Sequence, residues 1–165
     1  MVLLCMDIGL VALCAPFWMQ IPVQIVYNPS DSVPRGWYRI EKADALHVGD
    51  IVMARLPAIA AAMAEQRGYL PAGVPILKRI GAMAPQSVCV NDRVLRIDGD
   101  VVATVRVHDG QKRELPVWSQ CCSLANGELF LLSTNPASFD SRYFGPITAK
   151  AVIGSAQPLW TWSTP

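Results

Sequence analysis

Residues 87–110, "SVCVNDRVLRIDGDVVATVRVHDG", decide the fold class. Apolar and polar residues alternate along them, and the run is broken by Asn91-Asp92, Asp98-Gly99 and Asp109-Gly110. Alternation puts every second side chain on one face of a strand, and Asn, Asp and Gly accept the backbone angles of tight turns. The stretch therefore predicts successive antiparallel hairpins. Its flanks read the same way: upstream "WYRIEK" (37–42), "HVGDIVMARL" (47–56) with a Gly-Asp turn and "PILKRIGAM" (75–83), downstream "ELFLLST" (128–134) and "AVIGSAQPLW" (151–160). One segment departs from the pattern. "AIAAAMAEQRGYL" (58–70) is Ala-rich, free of Pro and stopped by Gly68 and Pro71, which predicts the one helix of the domain. The expected fold is mainly β: one antiparallel, partly closed β domain with a small helical insertion.

A chain of 165 residues, 52% hydrophobic, builds one ordinary core. Its net charge of +1 comes from mixed acidic and basic residues, so no nucleic-acid partner is expected, because that needs a concentrated basic face. Cysteines at 5, 14, 89, 121 and 122 form no C-x-x-C, and His47 and His108 stand apart from them and from each other. No metal site and no cofactor follow from such spacing.

The front end differs from the rest. "MVLLCMDIGLVALCAPFWMQIPVQIVY" (1–27) carries Asp7 as its one charge, and about 20 mainly apolar residues cross a bilayer as a helix. Residues 1–26 are therefore expected to be a membrane anchor and 27–165 the folded domain. The rivals are a cleaved signal peptide, which lacks its basic start here, and a buried helix or strand. In an oxidising compartment Cys89 would pair with Cys121 or Cys122. Cys121 is the expected partner, since Cys89 enters the hairpin region and Cys121 leaves it.

Chemistry enters at "NPSDSVPRGWYRI" (28–40). Ser30 and Ser32 beside Asn28, Pro29, Pro34 and Gly36 suit any loop, and a nucleophilic Ser needs a base. His47 and His108 sit at hairpin positions, which leaves no Ser-His-Asp triad. Lys78, in "VPILKRIGAM", is the alternative: burial disfavours the ammonium, and a neutral amine can take a Ser proton. Periodicity alone reads Lys78 equally well as an outward strand residue. Taken alone, Asp140 and Arg142 read as a surface charge pair.

Taken together, the blocks resemble the type I signal peptidase superfamily of Ser/Lys endopeptidases. "NPSDSVPRGWY" resembles its nucleophile block, "GDIVMARLP" its Gly-Asp-x-Val strand, "ILKRIGA" its base block, and "NPASFDSRYFGPI" its Ser-x-Asp-Ser-Arg-Tyr-x-Gly-Pro block. The base block departs at "GAMAPQSV", where Pro85-Gln86 stands for the usual Gly-Asp. The short anchor, the Pro-x-Gly-aromatic-Tyr ending and "RGYLPAGVPILKR" are similar to the conjugative-transfer, TraF-type branch.

The resemblance implies a domain of the signal-peptidase type behind an N-terminal membrane segment. It implies Ser32 as nucleophile, Ser30 and the Ser32 N–H as oxyanion hole, Lys78 as base and Ser138 as the hydroxyl that orients it. Asp140 and Arg142 would brace the loop behind the site, a more direct part for Asp140 being left open. It also implies a pilin or other exported precursor as partner, with hydrolysis or cyclisation as outcome. The domain would face the periplasm from the bacterial inner membrane, alongside conjugative transfer machinery. Two rivals remain: a non-catalytic periplasmic β module of a pilus or secretion assembly, and a cytoplasmic self-cleaving regulator.

Overall fold

The structure, a computed structural model, describes residues 24–162. The expected anchor, 1–26, lies outside the described residues except for its last three, which open the first strand. The chain forms β1 (Gln24–Asn28), β2 (Arg35–Glu41), β3 (Ile51–Ala54), helix α1 (Ala58–Gln66), β4 (Ile76–Met83), β5 (Ser87–Asn91), β6 (Val94–Ile97) and β7 (Asp100–Thr104). It continues through β8 (Cys121–Ser123), β9 (Glu128–Leu132), the one-turn helix α2 (Ser141–Phe144), β10 (Ile147–Thr148) and β11 (Val152–Trp162). None of the helices among the described residues is long and apolar enough to cross a membrane.

The strands make a seven-stranded sheet, β1-β2-β11-β3-β4-β9-β10, and a four-stranded sheet, β7-β6-β5-β8. Neighbours pair antiparallel throughout, as hairpin-rich sequence demands. Both ladders run linearly and end on open edges, so the partial closure expected from the sequence gives way to two open sheets with no closed barrel. Ala82, Val88, Val90, Leu95 and Phe130 fill the space between them, each buried, at roughly 25 cal/mol per Å² of apolar surface removed from water.

Local turn chemistry sets the smaller sheet. Asp92 and Arg93 at φ 49° and 60° turn β5 into β6, and Asp98 and Gly99 at φ 52° and 92° turn β6 into β7. The third signal, Asp109-Gly110, makes only an isolated bridge between His108 and Glu114. There the Asp109 carboxylate accepts from the N–H groups of Gln111 and Arg113 and from the Tyr69 hydroxyl, drawing the chain into a loop. Cys89 and Cys121 are direct cross-strand partners on β5 and β8 and are joined as a disulfide, leaving the exposed Cys122 as a free thiol.

Helix α1 ends at Gln66, four residues short of the predicted end. Gly68 at φ 68° turns the chain, and the N–H of Tyr69 folds back onto the Ala64 carbonyl. The short α2 was not expected. Asp140 caps it, its side chain accepting from the Arg142 N–H.

Candidate active site

Three segments meet at one end of the larger sheet: the β1–β2 loop, the start of β4, and the loop 133–140 after β9. Asn28, 4% exposed, shapes the first. Its Nδ2 donates to the carbonyls of Ser30 (2.9 Å), Val33 (3.1 Å) and Pro34 (3.2 Å), while its Oδ1 accepts from the Ser30 N–H (3.2 Å) and hydroxyl (2.8 Å). The Tyr38 hydroxyl donates to the Pro34 carbonyl at 2.6 Å, and Arg35 holds Asp31 with two 2.7 Å hydrogen bonds on the outside. Gly36 then lets β2 pass β11, for a Cβ there would lie 2.2 Å from the Trp160 carbonyl oxygen.

Ser32 is half-buried, and its hydroxyl lies 2.9 Å from that of Ser30 and 3.0 Å from the Leu77 carbonyl oxygen. Three contacts, Asn28–Ser30, Ser30–Ser32 and Ser32–Leu77, share two hydroxyl protons, so one contact always lacks a hydrogen. The proton of Ser32 therefore has more than one acceptor within reach.

Lys78 follows Leu77 on β4 and is 4% exposed. Its partner across the ladder is Val52, and Ile80 lies two residues on along the same face; both are fully buried. Nζ donates to the Ser138 hydroxyl oxygen. Burial lowers the Lys78 pKa to about 8, with Asp140 pulling it back up and Arg142 adding to the drop. The reading of Lys78 as an outward residue is thereby set aside.

Asp140 and Arg142 are 0% and 1% exposed, so they are not the surface pair that their spacing alone suggested. Arg142 clasps the carboxylate through Nε (2.8 Å) and Nη2 (2.7 Å), and Nη2 also donates to the carbonyls of Asn135 (3.0 Å) and Ser138 (3.2 Å). The second carboxylate oxygen accepts from the Ser133 N–H at 3.0 Å. Breaking a buried pair of this kind costs about 3–5 kcal/mol.

Ser30, Ser32, Lys78 and Ser138 line one cavity of ≈ 740 Å³ whose remaining walls are largely apolar, among them Met53, Tyr69, Leu70, Val74 and Phe139. The Tyr69 ring leans on Phe139, and its hydroxyl donates to Asp109, which ties the helical insertion to the loop after β7. His47 and His108 are exposed, and neither lines the cavity. Cys89 and Cys121 sit in the other sheet. Pro85-Gln86, where the base block departs from its pattern, is a turn held by Gln86, whose side chain accepts from the Met83 N–H and donates to Asp98. Two residues of the site went unread in the sequence, Asn28 and Ser133. Asn28 heads the nucleophile block and looks like any turn residue, whereas Ser133 has no local signal. Among the described residues no group of three or more His, Cys, Asp or Glu is placed to hold a metal ion.

A family model described as signal peptidase, peptidase S26, matches residues 1–162. The chain is 37% identical over 146 residues to a probable conjugal transfer protein TraF of Sinorhizobium fredii, covering 82% of this chain and 77% of that one. It is 35% identical over 145 residues to a conjugal transfer protein TraF of Agrobacterium fabrum, covering 82% and 81%. Against a plasmid transfer protein TraF of Escherichia coli it is 31% identical over 153 residues, covering 86% and 79%. A solved signal peptidase I of Enterococcus faecalis aligns with a TM-score of 0.42 at 21% identity, over 68% of this chain and 97% of that one.

Proposed function

The chain belongs to the signal peptidase family, peptidase S26, with TraF proteins of conjugal transfer among its relatives, and on that premise we propose that it is a Ser/Lys endopeptidase of plasmid transfer. Its substrate is an exported precursor protein, a conjugative pilin. The observation that carries the reading is Lys78: a buried amine, its pKa lowered to about 8, held by Ser138 next to the loop that presents Ser32.

The steps follow from that arrangement. Neutral Lys78 donates one N–H to Ser138, which leaves its lone pair free to accept the proton of Ser32 once that hydroxyl turns from the Leu77 carbonyl. Ser32 Oγ bonds to the scissile carbonyl carbon, and the oxyanion is held by the Ser32 N–H and the Ser30 hydroxyl. Lys78, now protonated, gives its proton to the leaving amine. The acyl-enzyme is released by water, or by the amino terminus of the pilin to give a cyclic subunit. The apolar cleft walls favour an extended segment with small or apolar side chains.

The domain works at the outer face of the bacterial inner membrane. Attachment to a membrane is supported by the largely apolar residues 1–23 that lead into β1, and the outer face by the proposed exported substrate. At the other end of β1, where it leads into the Ser32 loop, the outward Tyr27, Trp37, Trp160 and Trp162 cluster, with Trp160 73% exposed, and Trp and Tyr favour the membrane–water boundary.

Co-expression with the pilin precursor of the same transfer system, followed by mass measurement of the pilin, tests the function. Ser32→Ala and Lys78→Arg should each leave the precursor uncut, since a guanidinium stays protonated and cannot act as base. His47→Ala and His108→Ala should leave processing intact. Cleavage that survives Lys78→Arg and fails with either His variant would overturn the reading.

A further inference from the structure

Two hydrogen bonds tie Ser32 itself across to the other site segments. One is its own hydroxyl on the Leu77 carbonyl at 3.0 Å; the other is the Ser133 hydroxyl donating to the Ser32 carbonyl at 2.7 Å. The first must break when Ser32 Oγ attacks, whereas the second can persist through the reaction. Ser133 is 4% exposed and fully engaged, its N–H on Asp140 at 3.0 Å and its Oγ accepting from the Asn135 N–H at 3.1 Å.

The same carboxylate is clasped by Arg142, which donates to the Ser138 carbonyl, and the Ser138 hydroxyl holds the Lys78 amine. A continuous hydrogen-bonded path therefore runs from the backbone of the nucleophile to the amine of the base, with Ser133 as the link on the nucleophile side.

We propose that Ser133 is a positioning residue that registers Ser32 against the frame carrying Lys78; the inference rests on the Ser/Lys reading above. Fixing the Ser32 carbonyl limits rotation of that residue, and with it the aim of its Oγ and of the N–H meant for the oxyanion. Asn28 shapes the loop from within but does not fix where the loop stands relative to β4. A shift of about 1 Å in a reacting atom costs about 10²-fold in rate.

The test measures acylation of the full-length chain in detergent by the p-nitrophenyl ester of N-acetyl-alanine, with the modified residue located by mass spectrometry. Ser133→Ala should lower the saturating acylation rate about 10- to 100-fold with half-saturation within about twofold, since the cleft walls are untouched. The pH midpoint, set by the burial of Lys78 and its Asp140 and Arg142 neighbours, which all remain, should stay near that of the wild type. Ser133→Thr and Ser133→Val have nearly the same shape, so the Thr variant should keep the rate and the Val variant lose it; this pair decides the matter even if the Ala variant folds poorly. Equal rates for Thr and Val, or a Ser133→Ala rate at the wild-type level, would overturn the role of Ser133 while Ser32→Ala still abolishes acylation. Acylation undiminished in Ser32→Ala would instead remove the Ser/Lys reading, and this inference with it.

Discussion

Lys78 lies between Leu77 and Arg79 on a strand flanked along both edges by β3 and β9, and its side chain points to the buried face at 4% exposure, so its ammonium form has little water to solvate it. With a pKa of about 8 against 10.5 for an ordinary lysine, the folded chain gives up its proton where the unfolded chain still holds it. Between pH 8 and 10.5 stability therefore rises with pH, and below about 8 the full burden of the buried charge is present. Two outcomes follow. Acylation should climb about tenfold per pH unit up to about 7 and level off above about 9, read as kcat/KM against pH. Lys78→Met should be inactive yet more stable at pH 7 by about 1–3 kcal/mol in denaturant unfolding, because it removes a poorly solvated charge and leaves Asp140 paired with Arg142. At this scale the sequence was half legible. Ser32 and Lys78 stood out once the blocks were read together, but which face of β4 Lys78 occupies depends on register against Val52, a partner 26 residues away. Ser133 was invisible because its carbonyl partner is 101 residues distant.

Among the elements, hairpins closed by two-residue turns were read correctly, since turn residues and alternation both act within a few residues. The short β8 and β10 were not, since three and two residues carry no period and exist only through β5 and β9. Helix α1 was placed correctly and given too long an end, because Ala-rich sequence favours continuation while Gly68 turns the chain. The crossing of β2 and β11 yields a sharp expectation. Gly36 has φ 140° and the Trp160 carbonyl oxygen 2.2 Å from its missing Cβ. Gly36→Ala combines a backbone conformation closed to L-residues with a clash against main chain, so it should destabilise the domain by about 3 kcal/mol or more in thermal or urea unfolding. Gly73→Ala, at φ 72° with open space around its Cβ position, should cost about 1 kcal/mol.

For the molecule as a whole, the two sheets divide the labour: the larger carries the Ser32 loop and Lys78, and the smaller carries the cross-strand disulfide. Replacing Cys89 and Cys121 by Ser opens a link spanning 32 residues of sequence and should lower stability by about 3–4 kcal/mol, with cleavage per folded molecule unchanged, as calorimetry beside an activity assay would read. The overall architecture was foreseeable as antiparallel and hairpin-built. Its division into two open sheets was not, because sheet membership is decided by long-range pairing. That dependence on distance also governs when the enzyme can act. Ser32 meets Leu77 across 45 residues of chain, Lys78 meets Ser138 across 60, and Ser133 closes onto Ser32 across 101. Contacts so far apart carry a loop-closure cost and cannot form until the distant segment has been made. Under the proposed Ser/Lys mechanism, a chain still emerging from the ribosome, or halted before Arg142, should hold every part of its nucleophile block and none of its reactivity. The protease is born latent, and its own fold is the safety catch.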